Sequence, residues 1–479
     1  MSLNIIKKAK KTYDKFVVLV EEGKINEDST LSKESYKQLE ILSKQKKFTG
    51  KKGEFLEFTY FDKKNIDDYL FIGIGKAKEI SPNSIKMAIY SSLKSFRGNV
   101  LLKSNNKSFI DYDILGDLVE HINYSFDKYQ TSNKKEKDKK LLNIDIVDGK
   151  ISDSLIEGIE LGKITNIIRD LVNEPANFMT PEILSKNAEK LGKEYGFKVK
   201  VHNEKDIENL NMSAFLAVGR ASVNKPKLIV MRHNGNPKSK ETLALVGKGL
   251  CYDSGGLSIK PTSSMLTMHS DMAGAATVIG VMCALSKLNI KKNVVAVIAA
   301  CENVINGDAY KPGDIIPTML GKTVEITNTD AEGRVTLADA LTYATKIIKP
   351  TEIIDVATLT GAIIIALGDN ITGTFTNSNK NFEKLEIAGR KWNEKFWNMP
   401  MEEEFKDAIK SHVADLKNSA GRSGSSSTAA KFLEEFVEEI PWMHLDIAGT
   451  SFAEKGNSYF KKGATGTTMK TLYEYIKNN

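Results

Sequence analysis

The chain has few cysteines, no long unbroken apolar run and no strong excess of either charge. Cys251, Cys283 and Cys301 are odd in number and widely spaced along 479 residues. They read as small buried hydrophobes in a reducing compartment, and exclude a disulfide framework or a thiolate metal site. The lysine-rich start, residues 1–11, contains no apolar segment, so no secretory signal is expected. The most apolar stretch, 353–368, is interrupted by Asp355 and Gly361 and is too broken to span a bilayer. A net charge of +7, from 68 Lys+Arg against 61 Asp+Glu, is mild, and no Arg-rich stripe with interleaved aromatics accompanies it. Nucleic acid is therefore not the expected partner; binding through phosphates would show itself by weakening steeply with salt. The six histidines form no ligand cluster. What remains is a cytoplasmic globular protein that spans no membrane, with 41% hydrophobic and 27% charged residues.

At this length two domains are expected: an N-terminal α/β domain over 1–150, a linker helix over 151–172 and a larger C-terminal domain over 173–479. The linker carries Ile156, Ile159, Ile164, Ile167, Ile168 and Leu171 at helical spacing. In the first domain, 69–75, 100–102 and 143–147 read as strands. Gly73 and Gly75 lack the third glycine of a dinucleotide fingerprint and read as a structural turn. The charge run at 131–140 reads as a solvated loop. Beyond about residue 165, strands at 199–202, 228–232, 243–247, 294–300 and 353–358 alternate with helical segments, notably 273–288 and 335–348. Such alternation predicts a layered α/β domain with a central, largely parallel sheet. In these folds ligands bind beyond the carboxyl ends of the strands.

Four stretches place polar residues near those ends. In Asn328-Thr329-Asp330-Ala331-Glu332-Gly333-Arg334 two carboxylates stand two residues apart. On an extended backbone they would point the same way, with Gly333 allowing a change of direction before a helix. Divalent cation binding suits this run, although Asn-Thr-Asp is also ordinary turn and N-cap chemistry. In a second stretch Lys248 lies between Gly247 and Gly249, Asp253 precedes Ser254-Gly255-Gly256, and Lys260 precedes Pro261. The spacing of a P-loop is absent. A third offers Met268, His269 and Asp271 before a helix, where an aspartate can simply be a cap. The fourth, Ala357-Thr358-Leu359-Thr360-Gly361-Ala362, could offer backbone groups to a ligand or be a plain connection.

Taken together, Lys248, Asp253, Lys260, Asp271 and the run at 328–334 resemble the leucyl aminopeptidase (cytosol aminopeptidase) family. Asn173-Glu174-Pro175-Ala176-Asn177, the stretch 357–362 and His444-Leu445-Asp446-Ile447-Ala448-Gly449 match its pattern as well. The likeness is strong over about 165–479 and weak before it. Departures occur at 422–427, where family members are commonly richer in glycine, and at 464–468; neither touches a proposed ligand.

The resemblance implies a metal-dependent aminopeptidase with a leucine-like preference and two divalent ions, zinc or manganese, with magnesium possible. Four carboxylates balance two dications, and hard oxygens with one amine suit such metals. By the family pattern Lys248 is the amine ligand, neutral beside the ions. Asp253 and Glu332 bridge the ions, Asp271 joins Lys248 at one, and Asp330 completes the other. Water activated by the pair would then attack the peptide carbonyl without a nucleophilic side chain. Lys260 would stay charged and stabilise the oxyanion, and Arg334 would hold a bicarbonate ion beside the Leu359 backbone. Met268, Thr358, Leu359 and Gly361 are the expected substrate contacts. Peptides are the expected substrates, and a homohexamer the expected assembly.

Overall fold

The computed structural model describes residues 2–10, 12–25, 31–61, 66–104, 109–131, 140–147 and 153–479, so most of the charge run at 131–140 lies outside the described residues. The chain divides into two compact units, Met1–Asn166 and Ile167–Asn479. The division falls within the helix Asp153–Asn173, which carries the isoleucine repeat.

The first unit is built on strands β1 (Leu3–Ile6), β2 (Lys15–Glu21), β3 (Phe55–Phe61), β4 (Ile66–Gly75), β5 (Gly98–Ser104) and β6 (Leu142–Val147), in the order β1-β6-β5-β2-β4-β3. All pairings are parallel except that of β3 with β4. The sequence explains the difference. Leu56 and Phe58 alternate with exposed neighbours on edge strand β3, whereas β4 is buried without a break from Tyr69 to Gly75. A side chain at Gly73 would begin 2.1 Å from the Lys51 carbonyl oxygen, so a neighbouring backbone accounts for that glycine without any ligand.

The second unit contains β7 (Lys198–His202), β8 (Lys227–Asn234), β9 (Leu243–Asp253) and β10 (Asn293–Asn303). These are followed by β11 (Ile315–Pro317), β12 (Thr323–Glu325), β13 (Glu352–Ala357) and β14 (Ile371–Thr376). Then come β15 (Lys395–Asn398), β16 (Leu416–Lys417) and β17 (Trp442–Asp446), and last the short antiparallel pair β18 (Phe452–Ala453) and β19 (Gly463–Ala464). Eight of them form one sheet in the order β15-β14-β17-β13-β9-β10-β8-β7. The central run β17-β13-β9-β10 is parallel throughout, while β14 and β8 join it antiparallel on either side. The chain is thus an α/β protein whose larger unit has a central, largely parallel sheet with antiparallel margins.

Two helices cover the sheet near the strand ends. In Ala273–Lys287 every residue from Ala273 to Leu285 is buried, and in Glu332–Tyr343 every residue is buried. Glycine permits the close approach. A side chain at Gly274 would begin 2.0 Å from the Val356 carbonyl oxygen, and one at Gly247 would begin 2.8 Å from the Ala275 Cα. β9 and β10 run on to Asp253 and Asn303, past the ends expected at 247 and 300. Glycine and lysine disguise this extension, but parallel pairing carries the backbone forward through a register shift at Cys301/Glu302. Among the described residues no helix is long and apolar enough to cross a membrane.

Candidate metal centre

The extension of β9 decides where Lys248 lies. It is an interior residue of the strand, 3% exposed, not the end residue that a strand closing at 247 would make it. Its Nζ lies 2.8 Å from Asp271 Oδ2 and 2.9 Å from Glu332 Oε1, and donates to the Thr358 carbonyl at 2.9 Å. Asp253, the last residue of β9, places Oδ2 2.8 Å from Lys260 Nζ, which also stands 2.5 Å from Asp330 Oδ1. Asp253, Asp330 and Glu332 each offer a carboxylate oxygen within 4.8 Å of the others. All seven polar residues of the expected centre and its surroundings, from Lys248 to Arg334, are buried or half-buried.

Two local expectations need correction. Asp330 and Glu332 do not share an extended backbone: Asp330 sits in a turn and Glu332 is the first residue of the helix Glu332–Tyr343. Gly333 is helical, and its role is proximity, since a side chain there would begin 2.5 Å from Lys248 Cε. Asp271 likewise does not cap the helix Ala273–Lys287, whose N-cap residue is Met272. Its Oδ1 accepts a 2.6 Å hydrogen bond from the Thr358 hydroxyl, and its other oxygen faces Lys248.

Charge in this space is unbalanced. Four carboxylates, Asp253, Asp271, Asp330 and Glu332, meet the two ammonium groups of Lys248 and Lys260. Burial pushes the Glu332 pKa up to about 8, with Asp253 and Asp271 adding to the shift. Burial likewise raises Asp271 to about 6. Burial works against the charge on Lys248, yet Asp271, Glu332 and Asp253 outweigh it and raise its pKa. The same contest holds Lys260 protonated, with Asp253, Glu332 and Asp330 as the opposing anions. Lys248 is thus neutral only if other cations take over these acids.

Residues that the sequence reading passed over hold the acids in place. Asn303, at the end of β10, donates from Nδ2 to Asp253 Oδ1 at 2.8 Å and to the Thr329 carbonyl at 3.0 Å. Tyr310 donates its hydroxyl to the same carbonyl at 2.7 Å. Asn418 accepts from Thr327 N at 2.8 Å and donates to the Asn328 carbonyl at 2.7 Å. Ser258 N donates to Thr329 Oγ1 at 2.7 Å, joining the loops after β9 and before the helix Glu332–Tyr343. No spacing rule marks these residues; only the fold brings them to the acids.

Arg334 is buried, which lowers its pKa to about 10 against the opposing pull of Glu332 and Asp446. Its Nη1 donates to the Asn418 carbonyl at 2.8 Å, and its Nε has no hydrogen-bond partner among the described residues. Leu359 N donates to Asp446 Oδ1 at 3.1 Å, so that amide is already committed and does not stand free for an anion. Thr358 joins the centre through both its carbonyl and its hydroxyl. Met268 is half-buried in the short turn Met268–Ser270, and Gly361 is exposed at the start of the helix Gly361–Leu367.

The donor set fits divalent cations. Glu332 Oε2 is buried without a hydrogen-bond partner among the described residues, and hard carboxylate oxygens outnumber the local positive charges. Comparison with known proteins agrees with this chemistry. Residues 166–473 match the catalytic domain of the cytosol aminopeptidase family, and residues 17–133 match its N-terminal domain. A protein of Fusobacterium nucleatum described as a probable cytosol aminopeptidase is 49% identical over 480 residues, covering 100% of both chains. One from Clostridium perfringens, described in the same words, is 45% identical over 451 residues, 91% of this chain and 92% of its own. Among solved structures, the bottromycin maturation enzyme BotP in complex with Mn superposes with a TM-score of 0.85 at 27% identity, over 97% of this chain and 99% of that one. The chain belongs to the cytosol aminopeptidase family and is a metalloaminopeptidase, a hydrolase of peptides.

Proposed function

We propose that the chain releases N-terminal residues, leucine-like ones preferentially, from peptides with the help of two divalent ions. Lys248, Asp253, Asp271, Asp330 and Glu332 would hold the pair. Asp253 and Glu332 would be shared between the ions, with Lys248 and Asp271 on one side and Asp330 on the other. Manganese or zinc suits these donors, and magnesium is a further candidate. When bound, the ions supply Lewis acidity, acidifying water and polarising the scissile carbonyl.

The chain's own residues carry the remaining work. Loading requires Lys248 to give up a proton, because an ammonium has no lone pair; its neutral amine still has an N–H for the Thr358 carbonyl at 2.9 Å. Lys260, kept charged by the acids around it, would stabilise the oxyanion of the attacked carbonyl. Arg334 would hold a bicarbonate ion for proton transfer to the leaving amine, and its unpartnered Nε supports that role. Met268, Leu359, Thr358 and Gly361 would meet the substrate; the partial exposure of Met268 and Leu359 suits a surface that receives an apolar side chain. By family likeness the working assembly is a cytoplasmic homohexamer.

The observation that carries this reading is the convergence of four buried carboxylates on two lysines, with Glu332 Oε2 left unpaired. Release of leucine from leucine amide, with manganese or zinc added, tests it. Wild type should turn over and Glu332→Gln should lose at least about a hundredfold, because a shared ligand matters no less than its supporting partners. Equal activity in the two proteins rejects the proposal.

A further inference from the structure

Asn303 is fully buried, and no mechanistic step uses it. Its amide orientation is dictated by chemistry. Nδ2 faces two acceptors, Asp253 Oδ1 at 2.8 Å and the Thr329 carbonyl at 3.0 Å, and a flipped amide would set its oxygen against both. The amide oxygen is left buried without a partner, lying 2.9 Å from where a side chain on Gly256 would begin. The Asn303 carbonyl accepts from Ser254 N at 2.9 Å, fastening the same loop from the backbone side.

The consequence falls on Asp253. Its Oδ1 accepts from Gly255 N at 2.9 Å as well as from Asn303, which fills both lone-pair directions of that oxygen. Among the described residues its Oδ2 meets only Lys260, at 2.8 Å. The other bond of Asn303 reaches the peptide group directly before Asp330, whose side chain also meets Lys260. One NH2 group therefore joins the end of β9, which carries Asp253, to the turn that carries Asp330.

Resting on the two-ion reading above, we propose that Asn303 is a positioning residue of the metal centre. It occupies Asp253 Oδ1 so that Oδ2 is the oxygen left for the ions, and it holds the Asp330 turn beside that acid. Asn303→Asp keeps the shape but has no N–H to give, and Asn303→Ser is smaller and adds no charge. Tyr310→Phe serves as a comparison, because it removes a bond to the Thr329 carbonyl and leaves Asp253 untouched.

The test titrates the chelated full-length protein with Mn2+ alone and follows free ion and the spectrum of bound ion by electron paramagnetic resonance. Melting of the metal-free chain is measured alongside. Both Asn303 variants should bind manganese about 10–100-fold more weakly than wild type. Their bound spectra should change, and by more than that of Tyr310→Phe, which keeps both Asn303 bonds. Binding within twofold of wild type with an unaltered spectrum would overturn the proposal. So would failure of both Asn303 variants to fold, which would make the residue structural only. A wild-type chain that takes up no pair of ions would reject the two-ion reading itself, an outcome separate from normal uptake by wild type and variants alike.

Discussion

Lys260 and Lys248 face the same acids, yet they call for opposite behaviour. In the proposed mechanism Lys260 works only while charged, and Asp253, Glu332 and Asp330 raise its pKa against its burial. Lys260→Ala should therefore lower kcat about 100–1000-fold with little change in KM, because it removes a charge needed chiefly in the transition state. A comparable rise in KM with kcat intact would assign Lys260 to substrate binding instead. Lys248, by contrast, would shed its proton as a ligand of the proposed pair, so loading the chelated protein should release protons to a weakly buffered solution, and loading without release would contradict that role. At this scale the acids and lysines stood out in the sequence through their joint likeness to the family pattern, because each stretch alone also read as an ordinary turn, cap or loop. Asn303, Asn418 and Tyr310 were not legible. Their contribution is a hydrogen bond to a loop distant in the chain, and neither residue type nor spacing announces such a bond.

At the level of elements, the helix Glu332–Tyr343 delivers Glu332 and Arg334, and its own placement depends on two features. Gly333 gives Lys248 room, so Gly333→Ala should cost about 1–3 kcal/mol through overpacking and should weaken metal binding at the same time. Thermal melting and metal titration check the two effects, and a tolerated alanine would show that Lys248 can move aside. Asp339, further along, is fully buried and accepts from Phe215 N at 2.9 Å and Met319 N at 2.7 Å. Burial raises its pKa to about 7 from 3.8, with those amides and Ala214 opposing. The folded chain thus keeps a proton that the unfolded chain releases. The contribution to stability is full below about pH 4 and is lost as pH rises to about 7, by up to roughly 4 kcal/mol. Asp339→Asn should flatten that part of the melting-temperature profile of the metal-free protein, and parallel profiles would refute the shift. Hydrophobic periodicity located both covering helices and the cores of β9 and β10, but not the strand ends. The residues from Gly247 to Asp253 are held extended by the neighbouring strands, not by their own preferences.

For the whole molecule, the parallel centre of the large sheet sends the ends of β9, β10 and β13 to one side, where all the candidate ligands gather. Alternating strand and helix signals foretold that arrangement; the antiparallel margins were hidden because edge and central strands of a large sheet share the same apolar runs. The proposed homohexamer predicts a particle of about six times the chain mass by light scattering, and a monomer at working concentration would exclude it. The central claim is that two ions held by these acids perform the hydrolysis. Its most direct measurement is leucine amide turnover while the chelated protein is titrated with manganese. Activity should be absent at the start and should reach its plateau only with the second ion per chain; full turnover without metal, or saturation at one ion, would contradict the account.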